Sequence, residues 1–343
     1  MSLIFYPSQV LERNKGLTFN DVLLMPRYSE IDSRLTPSLK SRVTKNYHLD
    51  TPIISANMDT VTEYQMANKM HELGGLGILH RFMTIEEQIN QLKQIKGLKA
   101  ASIGVKDEGM RRADFLADFG VDILTIDIAH GNSVMMLEVL DYVKKKYPKI
   151  DVIAGNVATF DGVRRLIEHG ADAIKVGIGP GSMCTTRIVT GCGVPQLTAL
   201  AMCVQEAQKN DIPVIADGGI KNSGDIVKAF AVGAETVMAG SLFSGCDETP
   251  GEILNGKKRY RGMASTEAQV SWKGSIAENI SAEGESCFVN SKGSVEKVIS
   301  QLCGGIRSGM TYLNAKSIQE IYSNATFMEM TNLGLIESQP HGL

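Results

Sequence analysis

One (β/α)8 barrel is the fold this sequence predicts, on three observations. Eight short β-type runs recur along the chain, each followed by a stretch whose apolar residues fall at helical spacing. The runs are near-continuously apolar, as in parallel strands covered on both faces. No GxGxxG fingerprint opens a helix with an acidic residue about 20 positions on, the usual mark of an open doubly wound sheet.

Residues 1–51 precede the first strand as an N-terminal extension. The eight runs are then "PIISANMD" (52–59), "GLGILH" (75–80), "AASIGV" (100–105), "DILTIDIA" (122–129), "DVIAGNVA" (151–158), "DAIKVGIG" (172–179), "PVIADGGI" (213–220) and "TVMAGSLF" (236–243). Between them lie helices such as "TEYQMANKMHEL", "TIEEQINQLKQIK" and "NSVMMLEVLDYVKKKY". Several helices run into a glycine, in "ELGG", "DFGVD", "EHGAD" and "AVGAE", where a left-handed cap is favoured. Residues 244–290 follow the eighth strand as a long polar loop, and 291–343 form a C-terminal helical segment. A loop of that length at the catalytic face of a barrel is usually functional. The whole chain reads as a single domain.

With 343 residues, 43% of them hydrophobic, the chain can fill a full core. Its formal net charge of -3 offers no basic field for nucleic acid. The densest basic run, "VKKKYPK", reads as a solvated helix end. There is no signal peptide at the N-terminus, no run of membrane-spanning length and no lipidation signal in "SQPHGL", so the cytosol is the expected compartment. The six cysteines form no CxxC pair and are expected to be reduced thiols. The six histidines show no HxxxH or HExxH spacing, which argues against a zinc site.

Barrel chemistry sits at the C-terminal ends of the strands. Here those ends read "SANMD", "LHRF", "GVKD", "DIAHGNS", "GNVAT", "GIGPGSMC", "ADGGI" and "AGSLF". After strands seven and eight, the N–H groups of Gly219, Gly240 and Ser241 can approach a phosphate, with the Ser182 hydroxyl beside them. Tight turns alone are the alternative. Cys184 differs from Cys203 and Cys303, which lie in helical stretches, because its loop is glycine-rich and polar. Amide dipoles and a nearby cation favour a thiolate there. A thiolate near a bound phosphate suggests covalent catalysis on a phosphorylated substrate, with Thr186 able to relay a proton. Cys192, in "TGCGVPQ", is the competing thiol.

The strings "GIGPGSMCTTRIVTGCGVPQ", "IADGGIKNSGDIVKA", "GSLFSGCDETPGE" and "YRGMAS" resemble the IMP dehydrogenase and GMP reductase superfamily. The resemblance runs from "LTFNDVLLMP" at 17 to about residue 313. It implies a (β/α)8 barrel in which the cysteine attacks C2 of a purine nucleotide and a nicotinamide cofactor exchanges hydride at C2. By the same resemblance Gly179, Gly181 and Cys184 offer carbonyls to potassium. Ser182, Gly219, Gly240, Ser241 and Tyr260 hold phosphate, and Asp217 the ribose hydroxyls. Ser55, Met58 and Met263 flank the base, with Gly218, Arg261 and Gly262 completing the substrate stretch. Asp127, Asn156, Gly177 and Gly179 face the cofactor. The family forms tetramers, so a homotetramer is implied.

Within the superfamily, four features separate the activities. "RFMTIEEQINQLKQIKGLKAASIGV" leaves no room for the tandem regulatory domain that dehydrogenases usually insert after strand two. Between Met263 and Glu283, "ASTEAQVSWKGSIAENISA" holds neither the arginine nor the tyrosine of a dehydrogenase flap, whose arginine activates water. "SANMDT" and "IDIAHG" resemble reductases, whereas "LTFNDVLLMP" and "DTVTE" lean towards dehydrogenases. The resemblance therefore implies GMP reductase, converting GMP and NADPH to IMP, ammonia and NADP, with Cys184, Thr186 and Glu283 as the chemical trio. NADPH rests on the resemblance alone. The alternatives are an IMP dehydrogenase without the regulatory domain and, from another class, a nucleotide sensor or isomerase that needs no redox cofactor.

Overall fold

The computed structural model of the chain describes residues 2–274 and 281–340. Eight parallel strands close into a barrel: β1 (Ile53–Ser55), β2 (Leu76–Leu79), β3 (Ala100–Ile103), β4 (Ile123–Asp127), β5 (Asp151–Val157), β6 (Ala173–Val176), β7 (Val214–Asp217) and β8 (Thr236–Ala239). Closure is made by β8 against β1, with Val237 opposite Ile53 and Ala239 opposite Ser55. The outer helices are α1 (Tyr64–Glu72), α2 (Ile85–Gln94), α3 (Lys106–Phe119), α4 (Val134–Lys146), α5 (Phe160–Glu168), α6 (Gln196–Ala207), α7 (Ser223–Ala231) and α8 (Val295–Tyr312).

Local chemistry sets the helix ends. In α2 the Thr84 hydroxyl accepts from the Glu87 N–H, and the Glu87 carboxylate accepts from the Thr84 N–H, a reciprocal capping box. Gly120 and Gly170, both at φ +91°, close α3 and α5 in the left-handed conformation expected of them. Lys144, Lys145 and Lys146 form the last turn of α4, where cations suit the helix dipole.

Inside the barrel, Ile54, Ile78, Ile123, Ile153, Ile215 and Met238 pack into one buried cluster. A short hairpin, Ser41–Arg42 with His48–Leu49, plugs the end where the strands begin and adds Val43 and Leu49 to that cluster. It is anchored by Thr44 and Asn46, which both donate to the Asp151 carboxylate at the start of β5. Inward positions on a strand recur every second residue. Asp127, Lys175 and Asp217 therefore lie on the same inner face as Ile123, Ala173 and Ile215, but nearer the open mouth.

Two expectations are corrected. Residues 244–290 are not a plain loop. They hold an antiparallel hairpin, β9 (Lys257–Arg261) with β10 (Ser286–Asn290), and the helix Thr266–Lys273. The inward positions of β9 are Lys258 and Tyr260, so its alternation was disguised by a buried lysine. The C-terminal segment is not wholly helical either. Phe327–Glu329 is a strand sandwiched between Ile4–Phe5 and Val22–Leu24, tying the two ends of the chain together. Among the described residues no helix is long and apolar enough to cross a membrane.

Candidate active site

Two adjoining cavities open at the C-terminal mouth. The first, about 230 Å³, is lined by Ser182, Cys184, Asp217, Gly218, Gly219, Gly240, Ser241, Tyr260, Gly262, Met58, Met263 and Glu283 among others. The second, about 430 Å³, takes in Asp127, Asn156, Lys175, Gly177, Gly179, Arg81, Phe82 and Trp272. Cys184, Thr186, Asp217, Met58 and Met263 line both, so the thiol stands where the two halves meet.

The thiol sits on the loop between β6 and the short helix Thr186–Thr190. Cys184 Sγ donates to Thr186 Oγ1 at 3.2 Å, and Thr186 donates to the Glu283 carboxylate at 2.7 Å. Backbone bonds fix this chain of groups. The Thr185 N–H donates to the Glu283 carbonyl at 3.1 Å, and the Glu285 N–H to the Met183 carbonyl at 2.9 Å. The loop carrying the thiol is thus stitched to the segment before β10 that carries the carboxylate, which a distance of about a hundred residues in the sequence conceals.

Opposite lies the glycine-lined half. Gly218 and Gly219 have φ of +88° and +80°, and Gly218 lies so close to Pro180 and Gly181 that a Cβ would crowd them. The Tyr260 hydroxyl meets the Ser182 hydroxyl at 3.2 Å, and burial raises the Tyr260 pKa, so it stays a neutral donor.

At the floor of the second half, β5 bulges. Lys175 pairs with Gly155 and Val176 with Val157, leaving Asn156 as the extra residue. A bulge re-aims a side chain. The Asn156 amide donates to the Gly177 carbonyl at 2.8 Å and to Asp217 at 2.9 Å. The Lys175 ammonium reaches Asp127 at 2.8 Å and Asp217 at 2.7 Å, and also donates to the Asn156 side-chain oxygen.

Two expected residues are not brought into either cavity. Ser55 is fully buried, its hydroxyl taken by Thr62 at 2.8 Å, and Ala56 lines the cleft in its place. The Arg261 guanidinium turns away to pair with Asp59 and Glu267. Cys192 is exposed and lines neither cavity, whereas burial pushes the Cys203 and Cys303 thiols up. Of the sequence between Met263 and Glu283, residues 275–280 lie outside the described ones.

Sequence reasoning missed Lys175, Arg81, Phe82 and Trp272. Lys175 carried a signal: a charged residue inside an apolar parallel-strand run must have a buried partner. The Phe82–Trp272 edge contact, with centroids 6.4 Å apart, joins residues nearly two hundred positions apart and left no local trace. Among the described residues no group of three or more His, Cys, Asp or Glu side chains is placed to hold a metal ion.

The chain is similar to known proteins over nearly its whole length. A crystal structure of GMP reductase from Trypanosoma brucei in complex with guanosine 5'-monophosphate superposes with a TM-score of 0.91 at 31% identity, covering 98% of this chain and 99% of that one. Inosine-5'-monophosphate dehydrogenase of Cryptosporidium parvum is 43% identical over 384 residues, covering 95% of each chain. The enzyme of the same name from Nitrosopumilus maritimus is 34% identical over 471 residues, covering 96% of this chain and 99% of its own. The IMP dehydrogenase / GMP reductase domain profile matches residues 16–341, and the chain belongs to that family of purine-nucleotide oxidoreductases that use a nicotinamide cofactor.

Proposed function

We propose that the protein is a GMP reductase, converting GMP, NADPH and two protons to IMP, ammonium and NADP. The observation that carries this is the Cys184–Thr186–Glu283 chain, with links of 3.2 and 2.7 Å, in a loop region whose sequence holds no arginine from Ala264 to Ala282. The trio supplies a nucleophile and a proton path but no guanidinium to activate water. Cys184 thiolate adds to C2 of GMP. A proton delivered from Glu283 through Thr186 lets the 2-amino group leave as ammonia, and a thioimidate to Cys184 remains. The hydride that releases the thiolate and completes IMP is what the nicotinamide cofactor supplies when bound.

In this scheme Ser182, Gly219, Gly240, Ser241 and Tyr260 receive the phosphate, and Asp217 accepts from the ribose diol. Met58 and Met263 border the base. The cofactor half suits a nicotinamide dinucleotide: Asp127 is a diol acceptor, and Phe82 and Trp272 offer stacking faces. Carbonyls of Gly179, Gly181 and Cys184 would hold the potassium ion, an oxygen-only set without a carboxylate that suits a monovalent cation better than a divalent one. The Gly181 carbonyl accepts one bond, from the Cys184 N–H at 3.1 Å, and keeps a second lone pair.

Dehydrogenation of IMP with NAD is the second reading, favoured by the names of the curated relatives. A paired assay separates them. Purified protein receives GMP with NADPH and, separately, IMP with NAD. NADPH consumption with ammonia release is expected in the first and no sustained XMP formation in the second. Steady XMP production would overturn the reductase assignment.

A further inference from the structure

Lys175 is the one charged side chain on the inner face of β6, and 2% of it is exposed. β6 passes so close to Gly155 of β5 that an added Cβ would lie 2.7 Å from the Lys175 Cβ and 2.5 Å from its carbonyl oxygen. Only a bare backbone allows that approach. At its tip an ammonium has three N–H donors. Three acceptors surround it: Asp127 from β4, Asp217 from β7 and the side-chain oxygen of Asn156 at the β5 bulge. No donor is left for a ligand, so whatever Lys175 does it does through these neighbours.

The electrostatics favour the charged forms of Lys175 and Asp127. Burial alone would push the Lys175 ammonium down, but Asp127 and Asp217 outweigh it and hold it above the ordinary lysine value. Burial alone would raise the Asp127 carboxyl, yet Lys175, helped by Arg81, holds it below the usual carboxylate range. Each carboxylate is about one-fifth exposed towards the cleft, so each keeps lone pairs for a ligand. Asp217 lines both cavities, whereas Asp127 lines the second one alone.

We propose that Lys175 is a positioning residue shared by the two halves of the cleft, its single ammonium holding Asp217 for the nucleotide and Asp127 for the cofactor. The proposal rests on the nucleotide and cofactor reading of those halves. Because one ammonium serves both carboxylates, a change made at either end is transmitted to the other half without any ligand touching Lys175.

The test is a binding cycle on the full chain. IMP, GMP and NADPH are titrated calorimetrically into wild type, Lys175→Met, Asp127→Asn and the double variant. Lys175→Met is expected to weaken both nucleotides and NADPH by at least about tenfold each, as loss of one member of a buried charge cluster does. Asp127→Asn is expected to weaken the nucleotides about fivefold or more, although it does not line their cavity, and to lose that effect when Lys175 is already methionine. A lysine that merely supports the fold would lower Tm while leaving the nucleotide affinity of the folded protein unchanged, and that result would overturn the proposal. So would an Asp127→Asn effect on nucleotides that is the same with and without Lys175. If Lys175→Met fails to fold, Asp127→Asn alone decides: a nucleotide affinity equal to wild type overturns it. Because IMP and GMP are both titrated, a dehydrogenase activity would leave the nucleotide arms of the test intact, with NAD taking the place of NADPH in the cofactor arm. A wild-type protein that binds neither nucleotide would instead remove the reading of the cleft on which the proposal stands.

Discussion

Cys184 stands out in the sequence because a thiol among glycines and hydroxyls differs from the cysteines of helical stretches, and the structure puts Thr186 at hydrogen-bond distance from it and Glu283 at hydrogen-bond distance from Thr186. Replacing it separates chemistry from binding. Cys184→Ala is expected to lower turnover by at least about a thousandfold, as loss of a nucleophile does, while nucleotide affinity stays within a few-fold. Turnover near wild type would remove Cys184 from the mechanism. Glu283→Gln keeps the shape of the relay but not its proton. A loss of about 10²–10⁴-fold is expected where the amine leaves as ammonia. Hydride exchange between IMP and NADP, in which no ammonia takes part, should suffer much less. Equal losses would mean that Glu283 only orients Thr186. Lys175 was as readable as Cys184, since it interrupts an apolar strand. What the sequence withheld was its partners, which arrive from three other strands.

At the scale of elements, the barrel strands were legible because each is a short apolar run ending in glycines or polar groups. The β9–β10 hairpin was not, for a physical reason: one of its inward side chains is Lys258, 3% exposed. Its ammonium donates to the carbonyls of Cys246, Asp247 and Thr249 at 3.0, 3.1 and 2.7 Å, filling the turn after β8 as a bound cation would. Two residues on, Tyr260 reaches Ser182 across the cleft. Lys258 therefore fixes the height of Tyr260 over the glycine loops. Lys258→Met leaves the Asp247 and Thr249 carbonyls without a donor, while the Cys246 carbonyl keeps the N–H and hydroxyl donors of Thr249. The buried Thr249 carbonyl alone costs about 1–3 kcal/mol. A clear fall in Tm is expected, with KM for the nucleotide rising more than kcat falls, because Tyr260 moves and Cys184 does not. Calorimetry and steady-state rates would check both; a lower Tm with unchanged KM would cut the link between turn and tyrosine.

At the scale of the whole chain, alignments with some relatives carry a long stretch that has no counterpart here. The alignment with the Nitrosopumilus maritimus enzyme runs over 471 positions against the 343 residues present here, so over a hundred of those positions are filled by the relative alone. In this chain β2 ends at Leu79 and α2 begins at Ile85, a connection with no space for a further domain. What spans the molecule instead is the clasp between its ends. Phe327 is fully buried, stacked on Phe5 with centroids 5.7 Å apart, and Arg13 pairs with Glu329 at 2.8 Å. From the outer strand Val22–Leu24 of that sheet the chain leads back to Phe19, whose carbonyl accepts from Lys228 of α7 at 2.8 Å and whose ring lies against Gly219. The clasp is thus mechanically continuous with the loop that faces the nucleotide. Phe327→Ala removes its largest buried ring, a change that typically costs about 3–5 kcal/mol. If the ends merely decorate the barrel, hydrogen exchange should quicken only in residues 3–24 and 327–329, and nucleotide KM should not change. The expected result is that exchange also quickens around Gly218–Ile220 and KM rises, while Cys184 and its relay, held by their own backbone bonds, keep kcat close to its wild-type value.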